Sequence, residues 1–130
     1  MSIHHHPMII GGQEVESAEQ LEIINPSTGE VAATVACGDE SHIDQAVESA
    51  RKAFDAGDWS RATPADRAAV LRDLSVKLGE HLEEIIELEI LANGATVRQA
   101  TGFHVGLAAP HLEYFANLAE PYAFETPTKI

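Results

Sequence analysis

Cys37, the tract His4-His5-His6 and the acidic run Glu80, Glu83, Glu84, Glu87 and Glu89 are the residues whose types could do chemistry in this chain. A cysteine nucleophile needs a base or positive potential to favour the thiolate. Cys37 instead precedes Gly38-Asp39, and a carboxylate beside it disfavours ionisation. It reads as a small buried hydrophobe, and as the only cysteine it cannot form an internal disulfide. Consecutive imidazoles could hold Ni, Cu or Zn loosely. Three in a row near a terminus lack fixed ligand geometry, so residues 1–7 are expected to be a flexible tail or a tag remnant. His42, His81, His104 and His111 are scattered and do not flank a glutamate at helical spacing, so each reads as a surface or half-buried side chain. The acidic run could suggest paired carboxylates for acid and base work. At helical spacing most of it lies beside or opposite a leucine stripe and forms a wet face. Gly102 and Gly106 do not complete a dinucleotide or Walker-type loop, and Trp59, close in sequence to Phe54 and Leu71, reads as a packing anchor.

The elements that would position these groups fall into two zones. Met8–Ile10, Gly11-Gly12 and Gln13–Glu16 predict a hairpin, since paired glycines supply the positive φ values of tight turns. Leu21–Ile24, the turn Asn25-Pro26-Ser27-Thr28-Gly29 and Glu30–Ala36 predict a second pair. From Asp39 the apolar period changes to about 3.6. Ile43, Val47, Ala50 and Phe54 mark a first helix, with Ser41 and Asp44 as its expected capping box and Gly57 as its stop. Thr63, Pro64 and Asp66 open a second, whose stripe Leu71, Leu74, Leu78, Leu82, Ile85, Leu88 predicts one continuous helix, bent slightly at most at Gly79, as far as Asn93-Gly94. Leu112, Phe115, Leu118 and Ala119 predict a third main helix, firm after Pro110 and short or kinked before it. Residues 121–130, with two prolines and no period, are expected to be extended. The fold class is therefore α+β, N-terminal hairpins followed by three main helices.

Composition narrows the partners. Eight Lys and Arg against 21 Asp and Glu give 8 − 21 = −13, a field that repels phosphate backbones and anionic membranes. No apolar run approaches the roughly 18 residues of a spanning helix, and the N-terminus lacks a signal peptide's basic head and apolar body. The expected setting is reduced and cytoplasmic, without nucleic acid or membrane.

Taken in order, five pieces resemble one family: Asn25-Pro26-x-Thr28-Gly29-Glu30, Asp44-x-Ala46-Val47, Trp59, Pro64-x-x-Arg67 and Glu89-x-x-x-Asn93-Gly94. Each is weak alone, but in register over residues 8–120 they resemble the N-terminal segment of the NAD(P)-dependent aldehyde dehydrogenase superfamily. The resemblance implies an incomplete portion of that fold. It also implies a family reaction in which a cysteine thiolate attacks an aldehyde, hydride passes to NAD or NADP, and a glutamate-activated water releases the acid. The family's nucleophile, general base, oxyanion-hole residue and coenzyme loops all lie downstream, so no catalytic or cofactor-binding residue carries over and Cys37 does not inherit the nucleophile's role. The family's monovalent-cation site maps to the main-chain oxygens of Ile23 and Ile24. Ala92 stands where the family has an aspartate, which removes that site's formal charge. "NGAT" also departs from the Lys-Pro that typically follows Asn-Gly. The expectation is an N-terminal part of an aldehyde dehydrogenase, not catalytic on its own, partnered by itself or by a complementary aldehyde dehydrogenase polypeptide. The alternative is a stand-alone interaction module that self-associates or pairs with a full-length relative.

Overall fold

The computed structural model describes residues 4–125, 127 and 128. Both hairpins form as the turn chemistry requires. Strands β2 (Met8–Ile10) and β3 (Gln13–Val15) pair antiparallel about Gly11 and Gly12, whose φ values of 60° and 78° are those of a tight hairpin turn. Strands β4 (Gln20–Ile24) and β5 (Val31–Ala36) pair antiparallel around Asn25, whose side-chain oxygen accepts from Ser27 N at 2.9 Å and whose carbonyl accepts from Gly29 N at 2.8 Å.

The histidine tract is not a loose tail. His4–His6 form β1, which pairs parallel with β5 in a three-stranded sheet of order β1-β5-β4. The reason is the free edge of β5, whose backbone groups need partners on the side away from β4. The His5 ring adds contacts at 2.9 Å to Thr34 Oγ1 and 2.8 Å to Glu16 Oε2.

Helix α1 (Glu40–Ala56) is capped at Asp39, earlier in the chain than the Ser41–Asp44 box would place its start. Asp39 is the cap: its Oδ1 accepts from Ser41 N at 2.9 Å and His42 N at 3.2 Å, and His42 Nδ1 accepts from Asp39 N at 3.2 Å. The Ser41 hydroxyl, donating to Asp39 Oδ1 at 2.7 Å, and then the His42 amide hold the Asp39 carboxyl at a pKa of about 2. Thr63 and Asp66 cap α2 (Pro64–Glu80) as expected, with Pro64 in the first turn.

The long helix is two helices. α2 ends at Glu80 and α3 (Leu82–Asn93) starts after His81, whose φ of −107° and ψ of 14° turn the axis. The bonds His81 N to Lys77 O and Ile85 N to His81 O cross the joint, so it is a kink between elements with different partners. α2 packs on α5 (Ala108–Ala119), whereas α3 packs on β5 and the segment after residue 97. That segment is a short α4 (Val97–Gln99) continued by a π turn over Ala100–His104. Pro110 falls in the first turn of α5, where its missing N–H is not needed, so the helix begins before it. Residues 120 and 121 form a turn, and the Tyr122 and Phe124 rings beyond it meet edge to face at 5.0 Å. The part of the expected tail at residues 126, 129 and 130 lies outside the described residues.

Among the described residues the buried apolar side chains are Ala68, Ala95, Ala100, Val105 and Ala116, and no large side chain is fully buried. The elements make close pairwise contacts through small residues, and their larger apolar groups lie at or near the surface. Gly94 shows how tight one such contact is. It ends α3 at φ 69°, and a Cβ there would lie 2.5 Å from Pro26 Cγ.

Two glycines provide a matched stability test. Gly94→Ala combines a left-handed backbone with a clash and should lower the free energy of unfolding by more than about 1 kcal/mol. Gly79→Ala, in α2 with open space at its Cβ position, should raise it by roughly 0.5–1 kcal/mol. Urea unfolding by circular dichroism measures both, and a neutral Gly94→Ala would refute the contact with Pro26.

Asp39 sets an acid test. Its folded pKa is depressed from 3.8 to about 2, so its contribution is complete above about pH 4 and drains as pH falls toward 2, where the unfolded state takes up the proton first. Asp39→Asn, still a good cap, should flatten the stability profile between pH 4 and 2; an unchanged slope relative to wild type would count against this cap.

Candidate functional site

The Asn25-Pro26 turn after β4 lies against Gly94 at the end of α3, the helix that carries Ala92 in its last turn. Ile23 is half-buried and Ile24 exposed, and the β4/β5 register shifts between them, leaving Ala32 as an extra residue on β5. Ala92 is exposed and offers only a methyl group. The carboxylate on this stretch of helix belongs to Glu89, which is engaged elsewhere. It accepts from Asn93 Nδ2 at 2.9 Å and contacts His104 Nδ1 of the π turn, and these two bonds, Asn93's first, lower its pKa. Glu89 thus ties the end of α3 to the following segment.

The remaining candidates are dispersed. Cys37 is half-buried at the end of β5, its amide donating to Glu19 O at 2.9 Å. In β1 alternate side chains take opposite faces. His5 meets Thr34 and Glu16, while His4 and His6 share a shallow cleft with Glu84, Glu87, Leu88 and Leu91. Among the described residues, no group of three or more His, Cys, Asp or Glu is placed to hold a metal ion. Glu80, Glu83, Glu84 and Glu87 are exposed, as a solvated helix face would be.

Three helix N-termini are closed by their own side chains: Asp39 on α1, Thr63 and Asp66 on α2, and Thr96 with Gln99 on α4, while that of α5 carries no side-chain cap. The first turn of α3 carries Glu83 and Glu84, which repel a phosphate.

Two arginines are organised in ways that spacing alone did not reveal. Arg72 reaches from α2 to α5, donating from one terminal nitrogen to Glu120 Oε1 at 2.9 Å and from the other to Asn117 Oδ1 at 3.0 Å. The Glu120 bond raises its already high pKa. Arg67 lies over the Trp59 ring, its guanidinium carbon 5.8 Å from the centroid, and its Nε is buried without a hydrogen-bond partner. The Pro64-x-x-Arg67 spacing was the available signal for Arg67. For Arg72, partners 45 and 48 residues away left none.

Hairpins feeding an α-helical layer define a small α+β unit. The aldehyde dehydrogenase family model matches residues 13–129, so the chain belongs to the aldehyde dehydrogenase family. It is 36% identical over 112 residues to the protein named "Putative aldehyde dehydrogenase DhaS" of Bacillus subtilis (strain 168), covering 85% of this chain and 23% of that one. The NAD-dependent aldehyde dehydrogenase of Sinorhizobium meliloti superposes with a TM-score of 0.84 at 29% identity, covering 90% of this chain and 24% of the other. An apo indole-3-acetaldehyde dehydrogenase superposes over the whole chain with a TM-score of 0.88 at 30% identity, again over only 30% of its own length. The chain therefore spans between 23% and 30% of the length of these three relatives. Among the described residues, no helix is long and apolar enough to cross a membrane.

Proposed function

We propose that this chain is the N-terminal part of an aldehyde dehydrogenase, without catalytic groups of its own, which works in a complete enzyme oxidising an aldehyde to an acid with NAD or NADP in a cytoplasmic setting. The observation that carries this is the family match across residues 13–129 over only about a quarter of the relatives' length. The coenzyme would accept the hydride, and its binding groups would come from the polypeptide beyond this segment. This chain's part is mechanical. The Arg72 link, Ser75 Oγ donating to Ala109 O at 3.0 Å, and the Gly94–Pro26 contact hold hairpins and helices in one arrangement. Ile43, Val47 and Phe54 on α1, each more than 60% exposed, supply apolar surface for a partner. Full burial of such side chains is worth about 1.5–3 kcal/mol each.

The test is complementation. The chain is co-expressed with Sinorhizobium meliloti aldehyde dehydrogenase lacking the segment that superposes on it, and NADH formation from an aldehyde is measured on the purified complex. Activity should need both chains. Activity of this chain alone, or a stable complex without activity, would overturn the reading; self-association alone would favour the stand-alone interaction module.

The main-chain oxygens of Ile23 and Ile24 are proposed as the surviving half of a monovalent-cation site that lacks its charged ligand at residue 92. Ala92→Asp should restore that charge, so potassium chloride should raise the urea midpoint of the variant more than that of wild type, with choline chloride as the control. An equal response of both proteins would remove Ile23 and Ile24 as ligands.

A further inference from the structure

Arg67 is the polar group the fold leaves unfinished. Its Nε–H is buried and unpartnered, a condition native structures rarely tolerate without a ligand or neighbour to complete it. It borders a cleft of about 640 Å³ between α1 and the start of α2, with Ala50, Ala53, Phe54, Trp59 and Ser60 as the other lining residues. A second concavity, formed by Val47, Ala50, Arg51 and Phe54, shares Ala50 and Phe54 with the first. Together they form one groove along the apolar side of α1. Its apolar lining includes Phe54 and Trp59; Arg51 lies 6.0 Å from the Phe54 ring centroid and pairs with Asp55 at 3.8 Å, and Arg67 lies over Trp59 with a terminal nitrogen donating to Ser60 O at 3.5 Å and its Nε–H left free.

We infer that this groove is the seat of a polypeptide segment from the remainder of an aldehyde dehydrogenase chain, with an apolar side chain against Phe54 and Trp59 and an acceptor oxygen on Arg67 Nε–H. The inference rests on the reading under Proposed function and names the contact that reading requires. Charge argues for this occupant over a second copy of the chain. Two copies would bring together two bodies of net charge −13, whereas the unpartnered Arg67 Nε–H favours a segment that brings an acceptor oxygen. Length argues the same way, since the matched relatives carry about three quarters of their chain outside the region shared with this one.

The experiment measures the affinity of the chain for the co-expressed Sinorhizobium meliloti partner described above, once that partner is isolated and shown by circular dichroism to be folded. Arg67→Lys keeps the charge but cannot place a donor at the Nε position. Ala50→Glu, at an exposed helix site, fills the groove and offers Arg67 an internal acceptor without removing a core contact. Each should raise the dissociation constant by at least about tenfold, whereas Arg98→Ala, on the distant α4, should not. Hydroxyl-radical footprinting should show Phe54 and Trp59 protected only in the wild-type complex. If Arg67→Lys fails to fold, Ala50→Glu alone decides. Equal binding by wild type and both groove variants would overturn the inference and leave the proposed function standing. A folded partner that binds no form of the chain would overturn both.

Discussion

The α2–α5 contact is the interaction on which the rest of the helical layer depends. Ala68 and Ala116 are both fully buried, so the two helices approach as closely as small side chains permit. Around that apolar point a polar ring fixes rotation and register. Arg72 is bound to Asn117 and Glu120, and Ser75 to the carbonyl of Ala109. The guanidinium suits this task because its planar fork serves two acceptors at once. α3 leaves α2 at a kink to pack elsewhere, so the clasp also determines where the end of α3, and with it the Gly94–Pro26 contact, can lie.

This architecture explains a core made of alanines and one valine. Small residues allow helices to approach, but they remove little apolar area from water, and hydrophobic stabilisation scales with that area. Of the larger groups, Phe54, Trp59, Leu74 and Phe115 remain at least 46% exposed. The buried Arg67 Nε, which has no hydrogen-bond partner among the described residues, is the polar counterpart of that exposed apolar surface.

Local chemistry was the most legible. The Gly11-Gly12 hairpin, the Asn25-Pro26 turn, the Thr63–Asp66 capping box and the Gly94 terminator each depend on side chains within five residues of one another, and all were readable from spacing. The α1 cap was misplaced because Asp39 and Ser41 are both good caps, and the choice turned on His42 reaching back to the Asp39 amide. The helix break at His81 was invisible because the leucine stripe keeps its phase through it; nothing local says that the first half will meet α5 and the second will meet β5.

What the sequence by itself determined is the set of elements, the α+β class, the excess of negative charge and the family to which the motifs belong. These follow from short-range steric and hydrogen-bonding preferences and from patterns that need no partner to be recognised. Only the tertiary structure decided that His4–His6 complete the β5 edge, that Glu89 turns to His104 and away from a cation site, that Arg72 clasps α5, and that Arg67 is left without an acceptor. Each of these outcomes joins residues that are distant in the chain or depends on what neighbouring elements leave unsatisfied. Such pairings arise only when the elements compete for the same few buried positions and free backbone edges.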